Sequence, residues 1–489
     1  MKDLKERAIR GGVARLLNQG ICFVLKLCSI SVMARLLDPG DFGLVAMATV
    51  VTGIYGIFTT AGLSSATVQR ESVTPEQVST LFWINIMVGV FLCLLSLVTA
   101  PVLAGFYNEP RILKVMAALG TGFLFNAAGV QHSALLQREM RFYALAVIEA
   151  FSLACSITVG IGMAWSGYGY WAIVGATLAN PAVSTLCKWR ATGWIPGWPR
   201  RNSGIRSMVC FGGTLTLSGF VNYLTANVEK VLLGRFWGAD VLGLYTRAYY
   251  LINVPTDNLN STVSGVAFSA LARLQNDQEL LRNYFLKGYR IVLTMTFPIA
   301  VLCAVFAEDL ILVFLGPKWG GAVSIFRLMT PGVLVVGMLS PWGWLLQSIG
   351  RQQRVLKIGL VTGPVVIAAY LAGLSHGPGA VALAQSVAML LLLVPTLAWS
   401  IHGTIFTAAD ILHEVLPPLV SGGAAAVAGI VCRLLFDSLL PQVPRLLLGG
   451  GLMFGVYLWV LLFGMGLKNF YFDLLTSMRG SLGKAGVGG

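Results

Sequence analysis

Fourteen apolar runs of about 20 residues recur along this 489-residue chain, and they decide what it can fold into. To within a few residues they cover 12–34, 42–66, 79–104, 112–131, 144–165, 168–187, 208–234, 242–268, 291–315, 322–346, 355–373, 379–400, 411–432 and 446–467. A helix rises about 1.5 Å per residue, so each run matches a hydrocarbon core about 30 Å thick. Hydrocarbon offers no partner to a backbone N–H or C=O, which leaves helices and closed barrels as the only spanning structures. Barrel strands are about half as long as these runs. The expectation is an all-α polytopic membrane protein with about 14 transmembrane helices. Composition agrees, since 56% of the residues are apolar and only 11% are charged. The 56 glycines and 19 prolines fit as well, because both types are commoner in membrane helices than in soluble ones.

Charge orients the spans. With the N-terminus inside, 23 of the 34 lysines and arginines fall on the cytoplasmic side and nine on the outer side, while Lys26 and Lys230 lie within spans. That bias places both termini in the cytoplasm, in the inner membrane of a bacterium on the resemblance described below. It also accounts for most of the +14 net charge without nucleic acid, and a basic inner face favours anionic membrane lipid. The first run is about full span length and ends in Arg35-Leu36-Leu37-Asp38-Pro39 rather than a small-residue cleavage site, so it is expected to remain in the chain. Eight cysteines lack metal-ligand spacing and four histidines are scattered, so no metal or cofactor is expected.

The runs also repeat. Gly12, Leu17, Arg35, Gly43, Leu44 and Ala48 are matched 200 positions later by Gly212, Leu217, Arg235, Gly243, Leu244 and Ala248. After one slip, Leu135, Leu136, Gln137, Arg141, Gly167, Gly169 and Ala172 are matched 210 positions later by Leu345, Leu346, Gln347, Arg351, Gly377, Gly379 and Ala382. Six spans per half give both halves the same orientation, hence a parallel repeat, which is the usual build of a transporter that rocks around a central site. The expected division is a six-helix lobe at 1–190, a basic Trp- and Pro-rich linker at 191–207, a second six-helix lobe at 208–402, and two further helices with a tail at 403–489. Residues 270–290 read as an amphipathic helix on the cytoplasmic surface. No loop is long enough for a catalytic domain, and no enzyme activity is expected.

Charged residues in mid-bilayer cost about 2.5–3.5 kcal/mol each, so they face the protein interior and mark a pathway. In span one, Arg15, Asn18, Cys22, Lys26 and Ser29 share a helix face. In span seven, Ser218, Asn222, Thr225 and Glu229 share the equivalent face, with Asn227 and Lys230 to one side. The two stripes read as opposite walls of one cavity. Span eight adds Arg247, Asn258 and Asp257, with Pro255 as an expected kink. The candidate cavity set is therefore Lys26, Asn18, Asn222, Lys230 and Arg247, with Glu229 and Asp257 as ion-coupling candidates. A static Lys26–Glu229 or Glu229–Lys230 lock is the competing reading. Glu149 could reach the cavity rim, while Asn85 and Asn126 read as interhelical hydrogen-bond partners. Arg35 and Arg235 read as caps before tight turns containing Gly40, Gly43 and Gly243. Tyr245, Tyr249 and Tyr250 suit either sugar stacking or an interfacial belt. With no Walker loop, energy must come from an ion gradient or a downhill substrate.

At Ala34-Arg35-Leu36-Leu37-Asp38-Pro39-Gly40-Asp41-Phe42-Gly43-Leu44, at Leu242-Gly243-Leu244-Tyr245-Thr246-Arg247-Ala248-Tyr249 and at Leu135-Leu136-Gln137-Arg138-Glu139-Met140-Arg141-Phe142, the sequence resembles the polysaccharide transporter family of the MOP superfamily. These are the Wzx-type lipid-linked oligosaccharide flippases, and the likeness is to their WzxC-like branch. The resemblance implies two lobes in a MATE-like V around a cationic cavity and translocation of undecaprenyl-diphosphate-linked glycan to the outer leaflet. It also implies glycan polymerase and export machinery as partners. Lys26, Lys230 and Arg247 suit a multivalent anion, and Glu229 or Asp257 could bind a sodium ion or a proton. Two alternatives stand beside this reading. A MATE-like drug or metabolite antiporter would want an acidic cavity, and a membrane glycan polymerase or ligase would want a large outer loop.

Overall fold

A computed structural model describes residues 2–60, 67, 74–199, 223–224, 226–275, 277–437, 439–473 and 476, with the side chains of 2–17, 60, 257, 259, 261–263, 265–266 and 268–269 outside the description. The described residues are almost entirely helical. Helices α1 (Lys2–Leu36), α2 (Pro39–Thr60), α3 (Pro75–Tyr107), α4 (Ile112–Arg138), α5 (Phe142–Trp165) and α6 (Tyr170–Thr192) precede the long α7 (Val228–Arg273). There follow α8 (Gln278–Val305), the short α9 (Ala307–Phe314), α10 (Ala322–Ser348), α11 (Gln352–Leu374), α12 (Pro378–Ile401), α13 (Ala408–Phe436) and α14 (Gln442–Trp459). Eleven helices among the described residues are long and apolar enough to cross a membrane. They correspond to expected spans one to five and nine to fourteen. The sixth expected span is helix α6, diluted by Asn180, Lys188 and Arg190, and most of the seventh lies outside the described residues.

The chain forms two compact units. One comprises Met1–Tyr250, Phe314–Ala322 and Ile367–Val381. Within it α3 packs on α4, α5 on α6, α4 on α6, and α1 on α5. The fully buried Trp319 fixes the returning 314–322 segment by donating its indole N–H to the Ala34 carbonyl at 2.8 Å. The other unit comprises Leu251–Val313, Val323–Val366 and Ala382–Gly489. There α13 packs on both α8 and α14.

The repeat is realised in local geometry. Helices α4 and α10 begin and end 210 positions apart, at Ile112–Arg138 and Ala322–Ser348. The left-handed positions recur at the same offset: Met140 (φ 56°) with Gly350 (φ 75°), Gly167 (φ 80°) with Gly377 (φ 101°), and Gly193 (φ 61°) with Gly403 (φ 62°). Arg141 Nη1 donates to the Ala191 carbonyl at 2.8 Å and Arg351 Nη1 reaches the His402 carbonyl at 3.4 Å, so each arginine meets the carbonyl end of the second helix that follows it.

Several expectations are corrected. Gly40 and Gly43 lie in the opening turns of α2 and Gly243 lies inside α7, so these glycines serve close helix approach rather than tight turns. The backbone leaves helical geometry at Gly238 (φ 79°, ψ −177°), while Pro255 stays within α7. Residues 278–290 are not a separate surface helix but the start of α8, one of the eleven candidate spans. Their charge is tolerated because Arg282 pairs with Asp410, and Arg290 with Glu414 at 2.5 Å, both carboxylates lying on α13.

At their other ends the last two helices are held in the same way. Arg433 of α13 pairs with Glu308 at 2.5 Å, and Arg445 of α14 pairs with the fully buried Asp309 at 2.5 Å. These ion pairs tie α13 and α14 to α8 and α9 by charge as well as by packing.

Candidate functional site

Asn18, Cys22, Lys26 and Ser29 follow one another on α1 at intervals of three and four residues; Asn18, Lys26 and Ser29 line a series of chambers in the first unit, while the buried Cys22 donates to Asn18 Oδ1. The chamber nearest the start of α1, about 320 Å³, is lined by Asn18, Gln137, Glu149, Asn180, Ser184 and Lys188. Asn18 is buried there and donates Nδ2 to Glu149 Oε2 at 3.2 Å.

A second chamber of about 480 Å³ holds Lys26, Ser29, Asn126, Ser156, Asn180 and Arg247. Asn180 lines both, so the two are neighbours. A third, of about 460 Å³, is lined by Thr49, Tyr223, Asn227, Lys230 and Tyr249, and it shares Phe42, Thr177, Arg247 and Tyr250 with the second.

Arg247 is the common wall. Its guanidinium carbon lies 3.9 Å from the centroid of the Phe42 ring and 5.6 Å from that of Tyr250. Aromatic faces attract a cation without neutralising it, so they orient the fork and leave its charge available to a ligand. Lys230 is held by Asn227, whose Oδ1 accepts from its ammonium at 2.7 Å, and it lies 5.2 Å from the Tyr249 ring centroid. Among the described residues, no carboxylate lines either of the two larger chambers. Three cations in a lining with no described carboxylate give these chambers a positive potential, and a multivalent anion relieves it.

The structure thus brings Lys26, Arg247 and Lys230 together and places Asn18 in the adjoining chamber. Asn222 lies outside the described residues, and so does the side chain of Asp257, whose backbone lies on α7. Glu229 is 2% exposed, its Oε2 has no hydrogen-bond partner among the described residues, and it does not line these chambers. No ion pair joins it to Lys26 or Lys230 among the described residues, so the static lock is absent from this structure. Asn126, expected to bridge helices, instead faces the chamber of Lys26. Asn85 is buried with Nδ2 unpartnered among the described residues.

One wall escaped the sequence reading. Thr177, Asn180, Ser184 and Lys188 of α6 follow the same three-and-four spacing as the stripe on α1, and together they contribute to all three chambers. The sequence signal is concealed, because Lys188 lies just past the apolar run 168–187 and Asn180 is diluted within it.

Residues 32–324 match the family described as polysaccharide biosynthesis protein. The chain is 27% identical over 383 residues to the lipopolysaccharide biosynthesis protein WzxC of Escherichia coli (strain K12), covering 76% of this chain and 77% of that one. It is 31% identical over 296 residues to the teichuronic acid biosynthesis protein TuaB of Bacillus subtilis (strain 168), covering 59% and 60%. Its fold is similar to that of the lipid II flippase MurJ in an inward closed conformation, with a TM-score of 0.74 over 96% of this chain and 100% of that one, at 16% identity.

Proposed function

The chain belongs to the polysaccharide biosynthesis protein family, and from that premise we propose that it is a flippase for undecaprenyl-diphosphate-linked oligosaccharide. It moves this lipid from the cytoplasmic to the periplasmic leaflet of the bacterial inner membrane by alternating access, supplying cell-surface or exopolysaccharide assembly. It is a transporter and not an enzyme. Both termini lie in the cytoplasm on this reading, following the bias in lysine and arginine. Glycan polymerase and export machinery would receive the product.

The observation that carries the proposal is the pair of adjacent chambers, about 480 and 460 Å³, walled by Lys26, Arg247 and Lys230 with no described carboxylate. A diphosphate leaving water loses strong hydration, and charge-assisted hydrogen bonds from two ammonium groups and a guanidinium fork replace it. Tyr223, Tyr249 and Tyr250 offer ring faces for sugars in the same space. The lipid tail stays in the bilayer while the polar head crosses. The antiporter alternative asks for an acidic cavity, and the described lining is basic. Coupling to a sodium or proton gradient falls to Glu229 and Asp257. Binding a cation at buried Glu229 would satisfy its unpartnered oxygen and change the charge beside Lys230.

The test is translocation of a fluorescent lipid-diphosphate oligosaccharide in proteoliposomes, with and without an imposed ion gradient. Flipping by the wild type and its loss in Lys26→Ala and Arg247→Ala variants supports the reading. Absence of flipping with any lipid-diphosphate glycan, alongside export of an organic cation, would overturn it.

A further inference from the structure

At the turn between α10 and α11, Arg351, Arg354, Lys357 and Trp399 line a pocket of about 450 Å³ in the second unit. Its cations have no acidic counterpart: no carboxylate lines the pocket among the described residues. Arg351 and Arg354 instead use Nη1 on main-chain oxygens at the end of α12. Arg354 reaches the His402 carbonyl at 2.5 Å and that of Trp399 at 3.4 Å, and Arg351 reaches that of His402 at 3.4 Å. These bonds orient the guanidinium groups but leave their charge unneutralised. The first turn of α11, with Gln352 and Gln353, adds the positive end of the helix dipole.

The internal repeat supplies a control. At the 210-residue offset, Arg351 corresponds to Arg141 and Trp399 to Trp189, and each arginine bonds a carbonyl at the end of the second helix that follows it. Arg354 and Lys357, however, stand where the first half has Ala144 and Val147, and Ile349 stands where it has Glu139. In the first half Glu139 lies 3.4 Å from Arg141 as an ion pair. Over the matched stretches, 138–147 carries one net positive charge from Arg138, Glu139 and Arg141, and 348–357 carries three from Arg351, Arg354 and Lys357. Arg354 also ties the end of α12, but Lys357 makes no described hydrogen bond, and the first half folds without either charge, so the excess positive charge is not required by the hairpin.

The surroundings identify the ligand. Leu356 (51% exposed) and Leu360 (55%) on α11, and Leu391 (72%) and Val394 (71%) on α12, carry an exposed apolar surface away from the pocket along both helices. In a membrane protein such side chains face acyl chains, and Trp399 has the amphipathic character of an interfacial anchor. We propose that this pocket binds the phosphate headgroup of an anionic phospholipid of the inner leaflet, with its acyl chains lying along the apolar faces of α11 and α12. A free phosphate would satisfy the cations but not the apolar surface. The site goes beyond the proposed transport cycle and is read by binding alone, so its failure and the failure of the flippase reading are distinguishable.

The experiment is native mass spectrometry of the full chain in detergent, titrated with dioleoyl-phosphatidylglycerol or dioleoyl-phosphatidylcholine. Wild type, Arg354→Gln/Lys357→Gln and the single variant Lys357→Gln are compared. Lys357 makes no described hydrogen bond, so the single variant reports charge without disturbing the α12 end. Preferential binding of phosphatidylglycerol by the wild type is expected to weaken roughly fivefold in the single variant and roughly 30-fold in the double. Equal phosphatidylglycerol binding by all three proteins would overturn the proposal. So would its complete displacement by millimolar inorganic phosphate, which would make this a bare anion site. Retention of an undecaprenyl-diphosphate lipid but not of phosphatidylglycerol would overturn it as well, by assigning the pocket to the transported substrate.

Discussion

Gly43 packs against the carbonyl of Ala239, and Gly243, its counterpart 200 residues later, packs against the carbonyl of Pro39. The contact is reciprocal, because Pro39 and Ala239 are themselves 200 apart. A Cβ would lie 1.7 Å from the Ala239 oxygen if placed on Gly43, and 1.9 Å from the Pro39 oxygen if placed on Gly243. The repeats therefore meet backbone to backbone, where α2 and α7 approach more closely than any side chain allows. Gly43→Ala and Gly243→Ala are each expected to destabilise the purified protein by about 1–3 kcal/mol through overpacking, and by similar amounts because the geometry is symmetric. Thermal unfolding in detergent measures this, and an unchanged midpoint for either variant would contradict the contact.

Arg247 offers the most discriminating substitution in the chambers. Arg247→Lys keeps the charge but loses the planar fork and its stacking on Phe42. If the ligand is a diphosphate held by the fork, the lysine variant should retain binding at roughly tenfold lower affinity, and Arg247→Ala should lose considerably more. Isothermal titration with a soluble-tailed lipid diphosphate distinguishes the three proteins, and equal affinities would remove Arg247 from the site.

The wall on α6 makes its own prediction. Lys188→Met keeps the length and apolar stem of the side chain and deletes its charge beside Glu149 and Asn18 in the chamber of about 320 Å³. If the three chambers form one path, the variant should flip substrate several times more slowly while reaching the membrane in normal amounts. Quantified surface glycan against immunoblotted protein reads both quantities, and wild-type export would confine the path to the two larger chambers.

Arg445 and Asp309 test what holds the last two helices. Asp309 is fully buried, so Arg445→Ala leaves a carboxylate with no counter-ion in that setting and should cost about 3–5 kcal/mol. Asp309→Asn combined with Arg445→Met should recover much of that loss, since an apolar or neutral replacement of both partners avoids the stranded charge. A double-mutant cycle on the unfolding midpoint gives the coupling, and simple additivity would mean that the pair is not a tie.

The sequence by itself determined the helical membrane architecture and the repeat. Both rest on one-dimensional quantities: run length against bilayer thickness, and spacing between landmarks such as Arg141 and Arg351. It also picked out Lys26, Lys230 and Arg247, because a charge inside an apolar run is conspicuous wherever the helix faces. Only the tertiary structure decided which charges share a space. Glu229 and Lys230 are neighbours in sequence, yet about 100° of helix rotation separates them, and packing around α7 buried one and turned the other into a chamber. The same rotation of α6 made Asn180 and Lys188 part of the cavity wall. Ion pairs such as Arg445 with Asp309 join positions 136 residues apart, and no local pattern encodes a partner at that distance. Periodicity states that a helix has a polar face, but the neighbouring helices decide what that face looks at.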